Sequence, residues 1–97
     1  MSGVARLRVD LWLYRARFAK TRAAAARLVS EGGVRLIHNG QARLIEKPSV
    51  EVAAGDALVF AQNGGLRTVR VEALGVRRGP AAEARQLYRE LSDDPLA

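Results

Sequence analysis

Apolar and polar positions along this chain follow two successive periods, first that of helices and then that of strands. Val9, Leu13 and Ala16 recur at i, i+4 and i+7, so they share one face of a helix predicted over about residues 11–18, with Asp10 as its N-cap. Trp12 falls beside that face and is expected to be partly buried, with base stacking as its alternative use. Arg15 and Arg17 point elsewhere, toward solvent or a ligand. Thr21 predicts a second N-cap, and Arg22 to Glu31 reads as a helix of strong formers with an apolar stripe of Ala25, Leu28 and Val29. Gly32-Gly33 ends it, one glycine supplying the left-handed cap. Only a few residues near Ala19 and Lys20 join the two helices, which forces them to pack against each other.

From Val34 onward the pattern is that of strands. Val34 to His38 and Gln41 to Ile45 flank Asn39-Gly40, a dipeptide suited to the type I′ hairpin turn because both positions accept positive φ. Lys47-Pro48-Ser49 breaks the pattern, Val50 to Val52 resumes it, and Ala54-Gly55-Asp56 turns into a buried strand over Ala57 to Ala61. Asn63-Gly64-Gly65 turns again into Arg67 to Leu74, where Val69, Val71 and Ala73 alternate with Thr68, Arg70 and Glu72. Arg77-Arg78-Gly79-Pro80 reads as a basic loop. A last helix is predicted from about Ala81 to Leu91, with Ala84, Leu87, Tyr88 and Leu91 on one side and Ser92-Asp93-Asp94-Pro95 closing it.

With 97 residues there is room for one domain and one core. The only aromatics are Trp12, Tyr14, Phe18, Phe60 and Tyr88, which predicts an aliphatic core. There are no cysteines, so a disulfide scaffold and thiolate metal sites are excluded, which fits a cytoplasmic protein. His38, the one histidine, has no partner for metal binding, and no cofactor is expected. No apolar run approaches the ~18 residues of a membrane span, and no membrane partner is expected.

Charge changes the picture most. Residues 1–47 carry ten Lys/Arg and three acids, a net +7, whereas residues 48–97 carry six Arg and seven acids, a net −1. From Arg6 to Arg27 there are seven bases and a single acid, Asp10. A solvated helix face normally mixes signs; one this uniformly basic is what phosphate binding requires. Arg8, Arg15, Lys20, Arg22 and Arg27 can share one face of the helix pair, with Arg35 on the adjoining strand. Amides beside Thr21 suit a phosphate at a helix N-terminus. Nothing supplies a nucleophile with a base, and no glycine-rich phosphate loop is present, so no enzymatic activity is expected.

Arg8-Val9-Asp10-Leu11-Trp12-Leu13, Lys20-Thr21-Arg22, Glu31-Gly32-Gly33, Asn39-Gly40-Gln41 and Lys47-Pro48-Ser49 together resemble the RNA-binding domain named after small-subunit ribosomal protein four. Arg67-Thr68-Val69, Arg77 to Ala81, Glu83-Ala84 and Leu87-Tyr88 narrow the resemblance to the bacterial fifteen-kilodalton heat-shock protein family. The resemblance implies an α+β fold, a two-helix motif packed on a small curved sheet, followed by the C-terminal helix. The domain would span residues 6–62, with residues 63–97 an extension packed into the same unit. It also implies a partner, ribosomal RNA on the large subunit, and a role in recycling stalled subunits that carry nascent-chain tRNA. Carried over by position, the RNA-binding residues are Arg8, Lys20, Thr21 and Arg22, then Arg15, Arg27, Arg35 and Asn39. The hairpin is a few residues longer than the family's, which bears on the strand contacts, and the chain stops soon after Asp93-Asp94 where relatives often carry a basic tail, so a weaker grip on ribosomal RNA or a different contact is expected. Double-stranded DNA, an acidic protein partner and a targeting role for an RNA-modifying enzyme are the alternative readings. A monomer is the simplest assembly.

Overall fold

In a computed structural model describing residues 3–91, the chain forms β1 (Leu7–Arg8), α1 (Val9–Arg15), α2 (Arg22–Gly32), β2 (Val34–His38), β3 (Gln41–Ile45), β4 (Glu51–Val52), β5 (Ala57–Gln62), β6 (Gly65–Val71), α3 (Ala81–Ala84), a 3-10 turn (Arg85–Leu87) and β7 (Tyr88–Leu91). This is the expected α+β class. Five strands form one antiparallel sheet in the order β3-β2-β5-β6-β7, and β1 pairs with β4 apart from it.

The first helix begins two residues before the prediction and ends three residues short of it. Val9 N–H donates to Val50 O at 2.7 Å and Asp10 N–H reaches Pro48 O at 3.4 Å, so the turn at residues 47–50 satisfies the first helical donors. Asp10 is therefore not the N-cap. It sits in the first turn, buried, with Oδ1 accepting from Leu11 N–H. At the other end Arg17 N–H donates to Tyr14 O and Phe18 N–H to Leu13 O, with Arg17 at φ 66°. That is the Schellman closure, and it turns the chain out before Phe18.

The second helix and the hairpin match their patterns. Thr21 Oγ1 accepts from Ala24 N–H at 2.9 Å, and Gly33 closes α2 at φ 72°. Asn39 and Gly40 have φ 51° and 78°, the two positive values of a type I′ turn, and pairing runs from His38↔Gln41 to Val34↔Ile45. Asn63 and Gly64 repeat this device with φ 54° and 81°. The resulting Gln62↔Gly65 pair starts β6 two residues before the predicted Arg67. Its buried alternation stops at Val71, and Ala73 is exposed.

The last predicted helix is corrected most. Only Ala81–Ala84 is α-helical, and Tyr88–Leu91 forms β7 against β6, in register Val71↔Tyr88 to Thr68↔Leu91. Without β7, the outer edge of β6 would leave a row of backbone donors and acceptors unpaired. Satisfying that edge overrides the helical period, while Ala84 and Leu87 stay buried as the period required. Ser92 to Pro95 lie outside the described residues.

The core is not purely aliphatic. Val9, Leu13, Val29, Val34, Leu58, Val69 and Val71 are joined by fully buried Trp12 and Phe60. Phe18 packs at ring-centroid distances of 5.9 Å from Trp12, 5.1 Å from Phe60 and 4.6 Å from Tyr88. Helices α1 and α2 share this core with the sheet face that carries Val34, Leu36, Leu58 and Phe60. The segment after β6 is tied back to α1 by Trp12 Nε1–H donating to Ala73 O at 2.9 Å.

Gly75 is essential to that return. It has φ 74°, and a Cβ there would stand 3.0 Å from Leu87 Cδ1. Gly75→Ala is expected to lower the unfolding free energy, and with it the denaturation midpoint, by the ~1–2 kcal/mol of a left-handed side chain plus the Leu87 overlap. Gly40→Ala, with open space at φ 78°, should show the strain alone, so chemical denaturation of both isolates the packing contribution.

Candidate nucleic-acid interface

Building the site from α2 backward, Lys20, Thr21 and Arg22 occupy its N-terminal approach, all exposed. Thr21 caps the helix with its hydroxyl, and the first amides of a helix carry partial positive charge suited to an anion. Across the joint, Asp10 organises two arginines. Arg8 donates Nε–H to Oδ1 at 3.1 Å and Nη2–H to Oδ2 at 2.9 Å, a bidentate fork. Arg22 Nη2 lies 3.7 Å from the same Oδ2. The Asp10 side chain is 5% exposed, and each arginine side chain is 49% exposed. One buried carboxylate thus braces two guanidinium groups whose outer edges face solvent. Its hydrogen bond, then its charge, raises the Arg8 pKa above the ordinary guanidinium value.

The structure separates the other expected residues from this cluster. Arg27 is exposed, but about 140° round α2 from Arg22 at 100° per residue. It faces away from the Ala25 and Val29 stripe, on the outer side of the helix. Arg15 is half-buried, and its Nη1–H donates to Gly75 O at 2.7 Å, so it fastens the C-terminal segment. Arg35 pairs across the sheet with Leu44 and Val59, on the face opposite the helices, and does not join the helix-face bases. Asn39 occupies the hairpin turn, its amide 3.2 Å from His38 Nε2, while His38 Nδ1 lies 2.6 Å from buried Asp56. That pair pins the hairpin tip to the β4–β5 turn.

Lys47 was missed. The turn it begins holds the start of α1: Val50 N–H donates to Lys47 O, and Val50 O in turn accepts from Val9 N–H. Its signal is Lys47-Pro48-Ser49, which breaks the strand pattern and is also one of the motifs that carry the family resemblance. Arg43, likewise outside the expected set, pairs with Leu36 and therefore sits on the helix side of edge strand β3.

Asp10→Asn tests the brace. It adds one net positive charge and releases both arginines. Affinity for an unstructured polyanion should rise, with a salt slope steeper by up to ~0.9. Preference for a folded RNA over that polyanion should fall several-fold, because the arginines are no longer held in one geometry. Paired salt titrations on the two ligands check both signs.

The S4 domain family profile matches residues 7–58. The chain is 41% identical over 87 residues to heat shock protein 15 of Escherichia coli K12, covering 90% of this chain and 62% of that protein. It is 37% identical over 84 residues to the heat shock protein 15 homolog of Haemophilus influenzae, covering 87% of this chain and 60% of that protein. The chain therefore spans about three-fifths of the length of these relatives. Among solved structures it is similar to the trimeric heat shock protein 15 of Vibrio cholerae, with a TM-score of 0.77 and 39% identity over 91% of this chain and 84% of that one.

Proposed function

This chain belongs to the S4 domain family, among the heat shock protein 15 relatives, and on that premise we propose that it is a non-enzymatic RNA-binding protein of the large ribosomal subunit. The Asp10-braced pair of Arg8 and Arg22 beside Lys20, at the α2 N-terminus, is the observation that carries this reading. Arg8, Lys20 and Arg22 anchor phosphates, Thr21 presents the helix start, and Arg27 extends the basic surface outward. Arg35 and Asn39 meet RNA only if it also reaches the hairpin. RNA shape supplies selectivity, as is usual for folded RNA. Residues 6–62 form the RNA-binding domain, and residues 63–97 act with it as one unit. In the cytoplasm the protein helps to recycle stalled large subunits that carry nascent-chain tRNA.

If about five phosphates are neutralised, log K should fall against log salt with a slope of about −3.5 to −4.5. A flat salt response would sink the reading. Co-sedimentation with large subunits, empty and carrying peptidyl-tRNA, tests the finer role: preferential pelleting with loaded subunits is expected. Equal pelleting would leave a general ribosomal-RNA binder. Complexes that survive ribonuclease would instead favour an acidic protein partner. A monomer is the working assembly; the trimeric Vibrio cholerae relative makes a trimer the alternative, and sedimentation equilibrium separates the two by mass.

A further inference from the structure

A cleft of about 210 Å³ opens where the C-terminal segment meets the end of α1, outside the Arg8–Arg22 cluster. Ala16, Ala81 and Ala84 line it with nothing larger than methyl groups, which leaves the space open. Phe18 and Tyr88 supply aromatic wall, their ring centroids 4.6 Å apart and their planes at 53°. The Arg67 guanidinium lies 4.9 Å from the Phe18 ring centroid and 5.9 Å from that of Tyr88. Glu90 and Gln62 hold Arg67 in place through hydrogen bonds. Arg17 and Arg85 complete the lining, and among the described residues no carboxylate contributes to it.

These two arginines are the informative residues. Arg17 donates Nε–H to Gly79 O at 2.7 Å, and among the described residues neither Arg17 nor Arg85 meets a carboxylate. Glu83, on the same short helix as Ala81 and Ala84, is engaged by Arg77 through two hydrogen bonds. Arg17 also holds φ 66° at a helix-closing position where glycine is the strain-free residue. The chain thus keeps a guanidinium at the cleft despite an unfavourable backbone.

We infer that this cleft receives a single unstacked RNA nucleotide, its base against Tyr88 and its phosphate between Arg17 and Arg85. The inference deepens the RNA-binding reading and rests on it. At about 210 Å³ the space falls below the ~300 Å³ at which pockets for drug-sized ligands begin, and suits one planar ring with its phosphate outside. Aromatic and guanidinium planes are the surfaces on which folded RNA deposits splayed bases. Position agrees: Arg17 is three residues from Lys20, a reach of at most ~11 Å, so the nucleotide would be contiguous with RNA on the α2 N-terminus.

The test uses adenosine 5′-monophosphate followed by amide NMR, with adenosine and inorganic phosphate as separate probes. Saturable shifts are expected at Phe18, Ala84, Arg85 and Tyr88, weaker with either fragment alone, and lost in the Arg17→Gly/Arg85→Ala double variant. Glycine suits the backbone at residue 17 but removes the hydrogen bond to Gly79 O, so an unchanged melting temperature within a few degrees checks the fold, and Arg85→Ala alone, at an exposed residue that leaves that bond in place, should weaken the shifts by itself. No shifts, or equal saturation by inorganic phosphate alone, would overturn the inference. Saturation by a glutamate-rich peptide but not by the nucleotide would overturn it in favour of a protein partner.

A second arm compares an RNA hairpin bearing a one-nucleotide bulge with its fully paired counterpart. The wild type should prefer the bulge roughly tenfold, within what one stacked base contributes. The double variant should lose that preference while holding the paired hairpin, whereas charge reversal at Lys20 and Arg22 should weaken both alike. Were the wild type to bind neither hairpin, the RNA-binding reading would fail by itself, and the nucleotide titration would still decide the cleft.

Discussion

Reversing charge at Lys20 and Arg22 together is expected to lower affinity for structured RNA roughly a hundredfold at about 0.1 M salt. Each phosphate contact contributes a salt slope of about −0.7 to −0.9, so between about 1 M and 0.1 M salt it is worth nearly tenfold, and two contacts compound. The slope itself should become shallower by nearly 2. The matched control is Arg70→Glu with Arg89→Glu, which changes net charge equally. Those two residues face each other across β6 and β7, on the sheet face away from the helices. Repulsion at long range alone would make the two double variants equal. A hundredfold loss in one and only a few-fold loss in the other would locate the phosphates at the α2 N-terminus. Equal losses would move the site.

That localisation sharpens a reading the sequence could only take so far. The second helix and the hairpin were legible because their signals are local: Thr21 bonds three residues on, Gly33 needs only its own φ, and Asn39-Gly40 closes on its neighbours. Even the placement of Arg35 was available, since buried Val34 and Leu36 on either side turn it to the opposite face. Contacts across some sixty residues were not. Arg15 and Arg17 look like free charges on a helix end, yet Gly75 and Gly79 carbonyls take part of each guanidinium. Asp10 has the spacing of a cap, but the cap is supplied by the backbone near Pro48, which frees its carboxylate to brace two arginines. Likewise Tyr88 to Leu91 has a helical period that yields to an unpaired edge of β6.

Long-range fastening also explains why the C-terminal segment matters to a site built mainly from residues 8–22. Trp12, Arg15 and Arg17 each donate to a backbone carbonyl of residues 73–79, and Arg78 approaches Ala19 O at 3.4 Å while lying 5.0 Å from the Tyr14 ring centroid. Successive carbonyls thus line the segment up along α1 and its exit. The joint between the two helices, which sets how Arg8 and Arg22 face each other, is held from outside as well as by its own short length.

Trp12 is where this dependence is most severe, and the second large effect is expected there. Trp12→Ala should cost ~3–5 kcal/mol, because the side chain is fully buried and its removal leaves a large cavity. Against a total of ~5–15 kcal/mol for a domain of this size, that leaves a substantial unfolded fraction on warming. Trp12→Phe keeps much of the apolar volume but loses the hydrogen bond to Ala73 O, and should cost ~0.5–1.5 kcal/mol for that bond in addition to the lost packing. Thermal denaturation followed by circular dichroism measures both. The same variants decide between burial and base stacking as the use of this indole. At a temperature where Trp12→Phe is still folded, its RNA affinity and salt slope should equal those of the wild type, since no edge of the ring reaches solvent. A loss of affinity there, with the fold intact, would mean that the indole leaves the core to meet RNA, and the joint between α1 and residues 73–79 would then have to open on binding.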